Sequence, residues 1–255
     1  MKAPRLRLLA GNLSLVLTLL WLGGCASDSS SHDSSAAMDP AAMELLKAAS
    51  DKLGAASTVQ LQAEHKLDPA LGLGIAADRG PIEIMVKRPN QFYAIQQAGN
   101  ETREIAYDGK TLFVMHPAAK HHASGTVEAD SIEQFAQLVD ERFGFRPPVA
   151  ELLANDMASE LLIDVTSVRS LGKQREGGVH CDHLQLIQPG MSTDLWVGAE
   201  DKLPRRLLIT VTQLARNPTW DVRFSKWKLD APLDESLFAK RPAAGSQQVQ
   251  MLKSR

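Results

Sequence analysis

From Val59 onward, polar and apolar positions alternate with a period of two. Val59, Leu61 and Ala63 alternate with Gln60, Gln62 and Glu64, and Ile82, Ile84 and Val86 with Glu83, Met85 and Lys87. Each run reads as a half-buried strand, because successive side chains of a strand point to opposite faces. Phe92–Gln97 and Thr102–Tyr107 follow on either side of Gly99-Asn100. Asp108-Gly109 predicts a tight hairpin into Thr111–His116, since that dipeptide readily takes the left-handed angles such a turn requires. A second set of strands is predicted at Val165–Leu171, Val179–Ile187, Thr193–Val197, Arg206–Gln213 and Trp220–Leu229, the first pair joined across Glu176-Gly177-Gly178. Helical spacing appears in two places. Met43, Leu46 and Leu53 follow Asp39 as N-cap and Pro40 in the first turn. Between the two strand sets, Asp130 and Glu133 form a capping pair before Ile132, Phe135 and Val139, and Gly144 ends that helix; Pro147-Pro148 then opens another carrying Val149, Leu152 and Leu153. Consecutive hairpins with few helices predict an α+β fold, an antiparallel sheet with helices on one face. No internal repeat is visible.

Ahead of this pattern the chain changes character. Lys2, Arg5 and Arg7 precede an uncharged, leucine-rich run from Leu8 to Leu22, the layout of a secretory signal. A transmembrane helix needs roughly 20 apolar residues, and this run is shorter and stops at Gly23-Gly24. Leu22-Gly23-Gly24-Cys25 resembles the lipobox of bacterial lipoproteins. The resemblance implies cleavage after residue 24 and acylation of Cys25. With about 0.8 kcal/mol per buried methylene, several acyl chains on one cysteine would hold the protein to a bilayer. Ala26 follows where the proteobacterial sorting pattern has Asp for inner-membrane retention, which points to the periplasmic face of the outer membrane. Residues 25–38 are then the lipidated end and a tether of Ser, Ala and Asp, too polar to bury and reaching about 20 Å as a coil. Residues 39–255 are expected to form a single domain.

Composition narrows the function classes. Removing residues 1–24 takes away three positive charges and makes the formal net charge of −2 more negative. The remaining chain has no basic cluster to meet nucleic acid or to steer it to anionic head groups. A hydrophobic content of 44% supplies one sizeable core. With Cys25 committed to the anchor, Cys181 has no intramolecular partner, so no disulfide framework is expected.

Several short segments recur together in a known family: Val86-Lys87-Arg88-Pro89, Tyr107-Asp108-Gly109-Lys110-Thr111-Leu112, Glu141-Arg142-Phe143-Gly144 with Pro147-Pro148, Gly178-Val179-His180-Cys181-Asp182-His183-Leu184, Leu203-Pro204-Arg205-Arg206-Leu207 and Leu237-Phe238. In order and spacing, from roughly Asp39 to Leu252, the chain resembles the predicted periplasmic proteins of domain-of-unknown-function family 2092. That family is similar to the LolA/LolB superfamily. The resemblance implies a strongly curved antiparallel sheet, an incomplete barrel of about ten to eleven strands, closed by helices over an apolar concave face. Within the superfamily, LolA and LolB carry lipoprotein acyl chains and RseB-type members sense mislocalised lipoproteins or lipopolysaccharide.

Catalytic and metal chemistry finds little support. In His180-Cys181-Asp182-His183, strand alternation puts His180 and Asp182 on one face and Cys181 and His183 on the other. Two ligands per face fall short of the four of a structural zinc site, unless His116, His121 or His122 arrives from another strand. A Cys181/His183 nucleophile pair lacks a third group to orient the base; the alternative is a buried thiol beside a satisfied histidine. No cofactor and no enzyme activity are expected. Leu71-Gly72-Leu73-Gly74-Ile75 lacks the context of a phosphate loop. Its apolar Leu71, Leu73 and Ile75 lie at an expected hairpin tip, where they would touch a membrane or partner, or else pack down as longer strands.

The expectation is a non-enzymatic carrier or sensor. Its apolar ligand, such as a lipid acyl chain, would lie against Ile84, Val86, Leu112, Val114, Leu184 and Leu186, under Ile132, Phe135 and Val139 of the covering helix. The same residues could instead fill a core, leaving an envelope scaffold that meets a protein partner through its sheet edge or loops.

Overall fold

The computed structural model describes residues 38–71, 78–98 and 101–251. The expected signal segment, Cys25 and the expected tether up to residue 37 lie outside the described residues, as do Leu73 and Ile75. Two helices form where the spacing predicts apolar stripes. Helix α1 (Pro40–Gly54) starts at Asp39, whose carboxylate accepts from the Ala41 N–H at 3.0 Å, and buries Ala42, Leu46, Ala49 and Leu53. Helix α2 (Ile132–Phe143) buries Ile132, Phe135, Ala136 and Val139 and ends at Gly144, whose φ of 73° is the left-handed stop expected of glycine. Its cap is one residue later than the expected Asp130: Ser131 accepts from Gln134 N, and Gln134 reaches back to the Asp130 N–H at 2.6 Å. Glu133 is drawn away to the Asn155 N–H instead.

Pro147-Pro148 does not open an α-helix. Val149 takes a left-handed φ of 48°, and only a 3-10 turn follows at Ala150–Leu153, before the short α3 (Met157–Leu161). Leu152 and Leu153 are buried all the same. Asp156 caps α3 through the Ser159 N–H and accepts from Ser50 Oγ on α1 at 3.1 Å. Hydrogen bonds from Ser159 lead the causes that hold its carboxyl below the ordinary value. Its folded pKa is therefore depressed, so its contribution is present above the unfolded value and lost as pH falls through the lower, folded one. Across that acid range, unfolding temperatures of wild type and Asp156→Asn are expected to converge.

Among the described residues, twelve strands make one sheet: β1 (Thr58–Leu67), β2 (Asp78–Lys87), β3 (Gln91–Ala98), β4 (Glu101–Tyr107), β5 (Thr111–His116), β6 (His121–Thr126), β7 (Ser167–Glu176), β8 (Val179–Gln188), β9 (Met191–Gly198), β10 (Pro204–Thr210), β11 (Thr219–Leu229) and β12 (Gln247–Gln248). Their order is β12-β6-β5-β4-β3-β2-β1-β11-β10-β9-β8-β7, so two meanders join where β11 returns beside β1. The curved sheet does not close, leaving β12 and β7 at its edges. Every long pairing is antiparallel; β12 runs parallel on β6, and an isolated parallel bridge joins Met38 to Val168. The ten strands read from alternation, and the ten to eleven the resemblance implies, become twelve through β6, which alternates little, and the two-residue β12, too short to leave a periodic signal. Strand β7 also runs past the expected Leu171 to Glu176, because the Gly177-Gly178 turn lets it pair along β8 up to Val179.

Period-two alternation gives the first meander two cores. Ile82, Ile84, Val86, Phe92, Ala94, Ile105, Tyr107 and Leu112 face the helices and share the main core with them. Tyr93, Ala106 and Met115, with Met85, Ile95 and Phe113 beside them, face the other way. That outer face is covered by the segment after β11, which lays Leu233, Leu237 and the fully buried Phe238 on it. Lys240 holds the segment down through an ion pair with buried Glu104, which also accepts from Tyr93 Oη at 2.6 Å. Leu237-Phe238, part of the family pattern in sequence, is thus the anchor of a second, smaller core.

Candidate functional site

The nine residues expected to line a ligand site do converge on one face of the sheet and its helical cover. Ile84, Val86, Leu112, Leu184 and Leu186 from the sheet, and Ile132, Phe135 and Val139 from α2, belong to the same contiguous core, each 0–1% exposed. Val114 is half-buried and packs against it. Phe135 sits at the centre of the helix–sheet contact. Its ring stacks on Tyr107 at 4.0 Å and 8°, and meets Phe92 at 5.8 Å and 40°. Tyr107 in turn donates to the Val127 carbonyl at 2.7 Å, which ties β4 to the approach of α2. The cover is fixed at its other end by Arg88, between β2 and β3. Its guanidinium donates to the carbonyls of Leu53, Ala56 and Ala154 at 3.1–3.2 Å and to Asn155. Leu53 O at the end of α1, which accepts from the Ala56 N–H at 3.3 Å, gains a charged donor there.

Among the described residues, a cavity of about 950 Å³ opens away from these nine side chains, at the β6 edge. Ser124, Gly125 and Thr126, the end of α2 from Glu141 to Phe143, and residues 248–251 line it. It is mixed in character, with Phe143, Val249 and Met251 beside Glu141 and Arg142. Leu71 is half-buried at the end of the turn that follows β1. Exposed apolar groups at the same end of the sheet include Leu214, in the β10–β11 connection. That connection runs beside the start of the β1–β2 loop, where Asp68 N donates to Thr219 O at 2.8 Å.

Around His183 the sequence reading needs one correction. The third group that the Cys181/His183 pair was expected to lack is present: Asp194 on β9 accepts from His183 Nε2 at 2.7 Å. The ring stacks on Trp196 at 4.1 Å, and Arg206 lies over the Trp196 ring while pairing with Asp221 and Glu176. Neighbouring strands assemble this network, so no single segment of sequence announces it. Its thiol is nevertheless poorly suited to attack. Cys181 is 1% exposed, and burial pushes its pKa up, against the thiolate a nucleophile needs. We expect native protein to react with a thiol reagent about a hundredfold slower than free cysteine, and unfolded protein at the free rate. Fast native labelling would contradict this burial.

His180 and Asp182 point to the opposite face of β8 from Cys181 and His183, as alternation requires. His116, His121 and His122 lie on β5 and β6, at the other end of the sheet from β8. Among the described residues no three His, Cys, Asp or Glu side chains are placed to hold a metal. Nor is any described helix long and apolar enough to cross a membrane.

Three solved structures illustrate what the chain is similar to. Lipoprotein LppX of Mycobacterium tuberculosis shares 14% identity over 77% of this chain and 98% of its own, at a TM-score of 0.49. A LolA superfamily protein from Nitrosomonas europaea shares 13% over 78% and 97%, at 0.36. The Pseudomonas aeruginosa MucA/MucB complex matches at 14% over 82% and 63%, at 0.44. No curated protein matches the chain. A family model described as predicted periplasmic protein (DUF2092) matches residues 42–252, nearly the whole of the folded pattern, and to that family the chain belongs.

Proposed function

We propose that this periplasmic protein holds an acyl chain or another apolar ligand between the concave face of its sheet and the helices, as a carrier or envelope sensor without catalytic chemistry. The observation that carries this reading is an unclosed sheet with one continuous apolar face, from Val59 on β1 to Val197 on β9, covered, among the described residues, by three helices and a 3-10 turn. A ligand there would be driven by roughly 25 cal/mol per Å² of apolar surface removed from water. Because eight of the nine expected wall residues are already packed, the ligand must displace part of the helical cover. Entry is then a conformational step, slower than simple diffusion. The lipobox-like Leu22–Cys25 supports attachment by lipid on Cys25, and Ala26 supports the outer membrane as the site.

Full burial of the same eight side chains favours a second reading, an envelope scaffold whose core is complete without ligand. Native mass spectrometry of the chain purified without its N-terminal lipid separates the two. The carrier is expected to retain a lipid mass, and after delipidation to gain thermal stability on adding palmitate. A bare mass with no response to palmitate leaves the scaffold.

A further inference from the structure

The two edges of the sheet are protected very differently. Exposed edges are templates for pairing with another chain, and proteins commonly guard them with charge, bulges or a covering segment. Strand β7 has all three: Arg169, Lys173 and Arg175, a register shift between Ser170 and Lys173, and Asp39, whose N–H donates to Val168 O and whose carboxylate accepts from Ser170 N. Strand β6, His121-His122-Ala123-Ser124-Gly125-Thr126, has no lysine, proline, acid or bulge. Among the described residues its outer edge is held at both ends, by the tail at Lys120 and His122 and by Arg142 at Thr126. The Gln247 N–H donates to Lys120 O and the Val249 N–H to His122 O, both at 2.8 Å, with Ser246 Oγ on His122 Nδ1 at 2.7 Å. The chain's own tail therefore already uses this edge as a strand-addition site, in two exposed residues of β12.

Between these two ends, among the described residues, the edge is open at Ser124. The carbonyls of Lys120, His122 and Thr126 point outward, the last to Arg142 Nη1 at 3.0 Å, so by the period of two the backbone groups of Ser124 also point outward. Among the described residues, neither the Ser124 N–H nor its carbonyl has a partner on that side. They face the 950 Å³ cavity, where Phe143, Val249 and Met251 stand among the polar Glu141, Arg142, Gln248 and Gln250.

We propose that the outer edge of β6 takes an extended segment of a partner polypeptide as an added strand, hydrogen-bonded at Ser124 and seated in this cavity. An extended peptide is the occupant that fits, because the free donor and acceptor on one residue match a β-ladder, and the apolar walls beside them offer a place to alternate side chains. Small apolar ligands would leave both backbone groups unpaired. This surface is separate from the helix-covered face, and its test is independent of ligand binding there.

The test selects octapeptides from a random library on the purified chain and measures each on wild type and on Ser124→Pro. Proline removes the outward N–H and leaves the β5 ladder intact, as at other edge positions. Selected peptides are expected to protect the Ser124 amide from hydrogen exchange. They should bind Ser124→Pro at least about tenfold more weakly, and lose a similar factor when their own alternate amides are N-methylated. Should Ser124→Pro fail to fold, the N-methylated peptides decide alone. A library yielding no binder, or binders indifferent to N-methylation, overturns the proposal; so do binders that leave the Ser124 amide exchanging freely or bind a folded Ser124→Pro equally well.

Discussion

Phe135→Ala is expected to lower the unfolding free energy by about 3–5 kcal/mol, the range found when a buried aromatic is removed from a core. Phe135 is fully buried, stacked on Tyr107 and tilted against Phe92, so its loss removes both the apolar surface and two aromatic contacts. Collapse around the void is limited, because Tyr107 is held by its bond to Val127 O and cannot move in without breaking it. Phe135→Leu should recover much of the difference, since it restores most of the volume. Chemical denaturation with matched m-values checks both, and a loss under about 1 kcal/mol for the alanine variant would show that α2 is not seated as described. The same variant bears on ligand binding. If an acyl chain displaces the cover, Phe135→Ala should loosen α2 and speed palmitate uptake even as stability falls.

Arg88→Met should cost about 2–4 kcal/mol, although the side chain is only half-buried and far from any apolar stack. One guanidinium serves the end of α1 through Leu53 O and Ala56 O, and the 3-10 turn through Ala154 O and Asn155. Hydrogen bonds from a charged donor are worth more than neutral ones, and removing this donor takes it from the Ala56 and Ala154 carbonyls at once, while Leu53 O keeps the Ala56 N–H at 3.3 Å. Positive charge at the C-terminus of α1 adds a smaller favourable interaction with the helix dipole. Burial lowers the guanidinium's pKa, and the Glu133 carboxylate works against that fall. Arg88→Lys is expected to recover little, because a single ammonium cannot fork to acceptors on two separate elements. Equal stability of the lysine variant and wild type would show that charge, not geometry, is what the site requires.

These two residues show how unevenly function and fold are written in the chain. Phe135 is legible as a core-facing residue because it shares a helical stripe with Ile132 and Val139. Arg88 is visible only as part of the family segment Val86-Lys87-Arg88-Pro89; nothing local says that it caps two helical ends 32 to 67 residues away. Asp194 beside His183 is illegible in sequence for the same reason: the contact crosses from β8 to β9, and which side chains meet is set by register. The β6 edge carries almost no periodic signal, yet the sheet order makes it the strand next to the short final one.

Alternation of polar and apolar residues, the Asp108-Gly109 turn and the Asp39 cap were enough to determine most strands and the start of α1, since each depends on neighbours within a few residues. The same local rules assigned the apolar face of β2 and the core side of α2. Only the tertiary structure decided that β11 returns beside β1, that the tail folds over the outer face to bury Phe238, and that one edge is guarded while the other is open. Those outcomes depend on contacts between residues far apart in the chain, where a period of two says which way a side chain points and nothing about what waits on that side.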